Sequence, residues 1–141
     1  PITAFSFEGV ELCSQSRAAY LRNLEIRSTY MVQKWIDNLI NYYDAEAGKT
    51  EQRSQIDLAL DILICSNEKL KKGLVYHCVS DPKRAAWTLP IISRRVYLSE
   101  ENFWPSSSWY QTAILIHEAT HKCGTNDRTY YKPGEAPHNV G

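Results

Sequence analysis

One run near the C-terminus, ILIHEATH at positions 114–121, constrains the fold more than any other feature of this chain. An α-helix turns about 400° in four residues, so His117 and His121 stand one above the other on a single face. The residues at 113–116, AILI, are hydrophobic all round, the pattern of a helix buried in a core. Two imidazoles and the Glu118 carboxylate are costly to carry into such a place unless they bind something. The HExxH spacing therefore points to a zinc site. His117 and His121 are the expected ligands, through their ring nitrogens. Glu118, one residue past the first ligand, can reach a water at the metal without binding the metal itself, which is the place for a general base.

A catalytic zinc site takes three protein ligands and keeps its fourth position open. Gly124, three residues past His121, is where a helix can end in a left-handed turn, because glycine accepts positive φ at little cost. The chain is then expected to reverse toward the metal. The run HEATHKCGTND reads HExxHxxGxxD, the spacing of the metzincin pattern HExxHxxGxxH with Asp127 in place of the last histidine. Asp127 is thus the expected third ligand. The competing reading makes it a turn residue capping backbone amides, and Glu135 and His138 are rival donors in the tail. Met31 is the only methionine, so none follows the motif as a metzincin turn requires.

Beyond its spacing, GTNDRTY after HExxH resembles the GTxDxxY signature of the aspzincins, the deuterolysin and peptidyl-lysine metalloendopeptidase family of zinc proteases. Gly124, Thr125, Asp127 and Tyr130 fall into register, and RRVYLSEENFW upstream is similar to the family's strand and aromatic stretch ahead of the active-site helix. The link between His121 and the GTxD segment is shorter here than is usual in the family. The resemblance implies a zincin-like fold and a protein or peptide substrate. It implies that His117, His121 and Asp127 bind zinc, that Glu118 is the base, and that Tyr130 stabilises the oxyanion. The chemistry so implied is hydrolysis of a peptide bond by zinc-activated water. The same centre could serve as the toxin or effector part of a larger secreted protein, acting on peptide or peptidoglycan amides, with an upstream delivery domain or an inhibitor or immunity protein as partner. A binding module that only uses zinc for stability is the third reading. Glu118 and Tyr130 argue against it, since neither is needed to hold metal.

The rest of the chain reads as scaffold. With 141 residues the expectation is one domain over 1–141. Apolar residues at Leu21, Leu24, Met31, Trp35, Leu39 and Tyr42 predict a core-facing helix over 14–46, read as one helix or as two in succession. Ile56, Ala59, Leu60, Leu63 and Ile64 predict a second over 50–71, opened by Thr50 and closed by lysines and Gly73. LVYHCV and AAWTLPIISRRVYLS, separated by a turn at Asp81 and Pro82, predict two or three strands. The fold class is α+β, mainly helical, with a small sheet preceding the active-site helix. His77 falls in a strand pattern and reads as a core or surface histidine rather than a ligand.

Sixteen basic against sixteen acidic residues give no electrostatic case for nucleic acid. No apolar run approaches a membrane span. Starting at Pro1, the chain reads as a processed or excised domain of a protein secreted or delivered outside its producing cell. Cys13, Cys65, Cys78 and Cys123 form no CxxC pair. In an oxidising compartment the closest in sequence along the scaffold, Cys65 and Cys78, are expected to join across Gly73.

Overall fold

The computed structural model describes residues 6–7, 10–45, 50–88 and 94–125. Along the chain run β1 (Ser6–Phe7), β2 (Val10–Leu12), α1 (Gln15–Ala45), α2 (Thr50–Lys72), β3 (Val75–Val79), β4 (Ala86–Thr88), β5 (Arg95–Ser99) and α3 (Ser108–His121). The expected α+β class, mainly helical with a sheet ahead of the last helix, is what the chain forms.

Helix α1 is one continuous element of 31 residues rather than two. Ser14 opens it by accepting a hydrogen bond from the Arg17 amide at 3.4 Å. Its buried stripe is Leu21, Leu24, Ser28, Val32 and Ile36. Trp35 and Tyr42, expected in the core, are instead 40% and 46% exposed. The buried stripe instead continues from Leu24 in steps of four through Ser28, a small polar residue at a core position, to Val32 and Ile36. The Ser28 hydroxyl bonds the Leu24 carbonyl at 2.7 Å and so needs no other partner. At about 100° per residue Ser28, Val32 and Ile36 lie about 65° around the helix from Met31, Trp35, Leu39 and Tyr42, so the buried face turns away from Trp35 and Tyr42.

Helix α2 ends as its sequence predicts. Lys69, Lys71 and Lys72 occupy the last turn, and Gly73 takes φ 85° while its amide bonds the Lys69 carbonyl at 3.1 Å. Immediately beyond, the buried Glu25 carboxylate of α1 accepts hydrogen bonds from the Leu74 amide at 2.8 Å and the Tyr76 hydroxyl at 2.7 Å. Arg22 completes the set at 2.6 Å. Burial, followed by the neighbouring Glu25, pushes the Tyr76 phenol well above its ordinary range.

The strands form one sheet in the order β1-β2-β3-β5-β4, with β3 and β5 parallel and the other pairs antiparallel. Successive strand residues point to opposite faces. Tyr76, Val96 and Leu98 therefore join Leu21, Leu24, Leu70, Phe103, Ile114 and Leu115 in the core between sheet and helices. On the other face His77, Tyr97 and Trp87 stack in a row, with ring centroids 5.2 and 3.9 Å apart. β1 and β2 were not anticipated from the sequence, and they decide the cysteine pairing. Antiparallel pairing of Leu12 with His77 brings Cys13 to Cys78, Cα to Cα 5.0 Å, and these two are bonded. Packing of α2 on α3 brings Cys65 to Cys123, Cα to Cα 6.0 Å, and these form the second bridge. The expected Cys65–Cys78 bridge is thus replaced, because Cys78 is claimed by the hairpin at the N-terminal end. Among the described residues no helix is long and apolar enough to cross a membrane.

Candidate metal centre

Helix α3 begins where Ser107, in extended conformation, accepts a hydrogen bond from the Tyr110 amide. Ile114, Leu115, Ile116 and Ala119 are buried, as the all-round apolar run predicts. The helix packs against α1, α2 and β4, and this sets the position of the histidine-bearing turn. His117 is exposed, His121 is half-buried, and Glu118 is 4% exposed. One ligand atom from each of the three lies within 4.8 Å of the others.

The two imidazoles meet edge to face, their centroids 4.6 Å apart and their planes at 88°. Nε2 of His121 is 3.0 Å from Nε2 of His117. Two nitrogens bound to one tetrahedral zinc at about 2.0–2.1 Å stand about 3.3 Å apart. The pair therefore fits such an ion after opening by a few tenths of an ångström. The other nitrogen of His121, Nδ1, lies 2.9 Å from the Thr125 carbonyl oxygen. A carbonyl only accepts, so Nδ1 carries the proton and the Nε2 lone pair faces His117. A ring nitrogen committed to a backbone carbonyl in this way is the common outer support of a metal-binding histidine.

The turn after α3 delivers that carbonyl. Gly124 has φ 92°, its amide contacts the His121 carbonyl at 3.4 Å, and the Thr125 amide reaches back to the Thr120 carbonyl at 3.3 Å. This pair of bonds is the Schellman pattern that ends a helix at a glycine. The left-handed turn expected at Gly124 is present, and the chain reverses as anticipated. The Cys65–Cys123 bridge fastens the same turn to α2.

Lys122 is a neighbour that the sequence did not mark. It is buried at 5% exposure, and its ammonium donates to the Arg95 carbonyl on β5 at 3.0 Å. Burial pulls its pKa down to about 8, opposed by the Glu118 carboxylate and reinforced by Lys69. The end of α3 is thereby tied to the sheet as well as to α2. From the sequence Thr120 has no assigned role, and Thr125 only a place in the GTxDxxY register. Asp127 and Tyr130, with the rival donors Glu135 and His138, lie outside the described residues. His77 is buried in the sheet and takes no part in the histidine pair, as its strand pattern suggested.

Comparison of the chain with protein-family models, with curated proteins and with solved structures returns no match.

Proposed function

We propose that this chain is a zinc-dependent metalloendopeptidase of zincin-like fold, hydrolysing peptide bonds with Glu118 as general base. The observation that carries the reading is the histidine pair. Two Nε2 atoms face each other at 3.0 Å on a helix packed into the core, and one of the rings has its far nitrogen committed to a carbonyl. Asp127 supplies the third ligand on this reading, since the reversal at Gly124 turns the chain back toward His121. When bound, zinc supplies Lewis acidity and makes water a competent nucleophile near neutral pH.

The remaining steps belong to the chain. Glu118, adjacent in sequence to His117 and within the same cluster, takes the proton of the attacking water and passes it to the leaving amine. Tyr130, by the GTxDxxY register, donates a hydrogen bond to the oxygen that becomes charged in the tetrahedral intermediate. Two disulfides among the described residues agree with maturation in an oxidising compartment, and so with a secreted protein.

The test combines metal analysis with cleavage of a mixed peptide library. The purified chain is expected to hold one zinc, to cleave peptides, and to lose both on chelation. His117→Ala should abolish zinc binding. Asp127→Asn should weaken it with the helices still folded, while His138→Ala does little. A chain that takes up no zinc above background at neutral pH would sink the proposal. Tight binding in Asp127→Asn together with release in His138→Ala or Glu135→Ala would move the third ligand to the tail.

A further inference from the structure

Two threonine hydroxyls beside the histidine pair form a chain of bonds whose direction can be read from donor and acceptor chemistry alone. The Thr120 hydroxyl lies 2.6 Å from the His117 backbone carbonyl. Only the hydroxyl has a proton there, so Thr120 donates. The Thr125 hydroxyl lies 3.0 Å from the Thr120 hydroxyl. With the Thr120 proton already spent, Thr125 must be the donor in that second bond. Its own oxygen is then left with lone pairs only, and it lies 3.4 Å from His121 Nδ1. The Thr125 carbonyl faces the same nitrogen at 2.9 Å. His121 Nδ1 is thus met by two acceptors from one residue.

We infer that Thr120 and Thr125 are positioning residues that fix the His121 imidazole as its Nδ1–H tautomer, so that the nitrogen presented on the side of His117, Nε2, is the one bearing the lone pair that would coordinate a divalent metal. The inference rests on the proposed metal site for its purpose but not for its geometry. Each part has a separate task. The Thr120–Thr125 hydroxyl bond, with the Thr125 amide bond to the Thr120 carbonyl at 3.3 Å, clamps Thr125 at two points onto the last turn of α3. The clamp holds the Thr125 carbonyl on Nδ1. Gly124 makes the clamp reachable, since its φ of 92° lets the chain double back within two residues. A free imidazole in water divides between two tautomers; one held this way offers the correct nitrogen before metal arrives. Outer partners of ligating histidines typically change metal affinity by about 10–100-fold. Thr120 is only half-buried, which places the expected effect at the lower end.

The experiment reads the tautomer directly in the metal-free full chain, by long-range proton–nitrogen NMR correlation of the ¹⁵N-labelled imidazoles, and separately measures Zn²⁺ affinity by competition with a chromophoric chelator. In the parent, His121 is expected as the Nδ1–H form. Thr120→Val, nearly isosteric, should mix the two tautomers at His121 and raise the zinc Kd about tenfold. Thr120→Ser should restore both readings to the parent's, because it keeps the hydroxyl. Thr125→Val provides a second break at the other end of the same bond. A parent His121 carrying its proton on Nε2 overturns the inference, as does a Thr120→Val protein with both tautomer and zinc affinity unchanged. If the tautomer responds as expected while the parent binds no Zn²⁺ at all, the threonine clamp stands and the proposed metallopeptidase falls.

Discussion

Removing the Cys65–Cys123 bridge separates global stability from the integrity of the metal turn, because the second bridge provides a control of nearly equal weight. On the chain-entropy account, a cross-link stabilises by the loop it closes in the unfolded state, as −2.1 − 1.5R ln n cal/mol/K. Cys65–Cys123 spans 58 residues and Cys13–Cys78 spans 65. The expression gives about 4.2 and about 4.3 kcal/mol at 25 °C. Cys65→Ala/Cys123→Ala and Cys13→Ala/Cys78→Ala should therefore lower the free energy of unfolding by nearly the same amount, ~4 kcal/mol each, in urea titrations followed by tryptophan fluorescence. Their effects on zinc should differ. Cys123 lies between His121 and Gly124, so loss of its bridge frees the turn that holds the Thr125 carbonyl on His121, and the zinc Kd should rise about tenfold. Cys13–Cys78 ties β2 to β3, and its loss should leave zinc affinity within about twofold of the parent. The assay is Zn²⁺ competition at a temperature where both variants are folded. Equal loss of zinc affinity in the two variants would show that the turn responds to overall stability alone. Unchanged affinity without Cys65–Cys123 would show that the bridge does not support the site.

Glu25→Ala should cost about 3–5 kcal/mol, since it strands the Leu74 amide and the Tyr76 hydroxyl, each worth about 1–3 kcal/mol when left unsatisfied, and removes the carboxylate paired with Arg22. Glu25→Gln, which can keep an acceptor on both donors, should cost less than half as much in the same urea titration. The imidazole of His77 is buried, and burial, reinforced by Arg95, lowers its pKa from 6.5. The unfolded chain therefore binds that proton first. Stability owed to neutral His77 is fully present above about pH 6.5 and is lost as pH falls toward the folded value, at no more than about 1.4 kcal/mol per pH unit. His77→Phe, which keeps a ring against Tyr97, should flatten the slope between pH 7.5 and 5.5. Glu118→Gln should keep its zinc and lose on the order of 10² to 10⁴ in rate, and Tyr130→Phe should lower kcat more than it raises KM. Zinc loss in either would mean that the roles are wrongly assigned.

Local signals served well where one residue type has one physical meaning. Gly73 and Gly124 were legible as left-handed helix ends because few residues tolerate positive φ, and both adopt it. The buried nature of α3 followed from AILI, and the histidine pair followed from helical geometry. What could not be read depends on partners distant in sequence. Ser28 looks like a surface residue until α1 is seen to need a small side chain that satisfies itself. The pairing of Cys13 with Cys78 rests on a hairpin of two- and three-residue strands, too short for any periodicity. Lys122 is lysine in a helix end by sequence, and only the fold shows its ammonium against β5. Thr125 was legible as part of the GTxDxxY register, but its bond to Thr120 and the direction of that bond come only from distances. The third ligand, expected at Asp127, falls outside the described residues and remains with the experiment.

The two bridges alternate along the chain: 13, 65, 78, 123. A single backbone cut at any point between Cys13 and Cys123 is therefore spanned by at least one of them. Between Cys65 and Cys78 it is spanned by both. No such nick can release a fragment, and after it each half still holds the other near its folded position. For a chain proposed to be a peptidase, this linkage means that a single accidental cut leaves the two pieces covalently joined. The pieces stay at high effective concentration, which favours their reassembly. Bridges set in succession, 13 to 65 and 78 to 123, would have left a cut between Cys65 and Cys78 unspanned, the very stretch that this crossed arrangement covers twice.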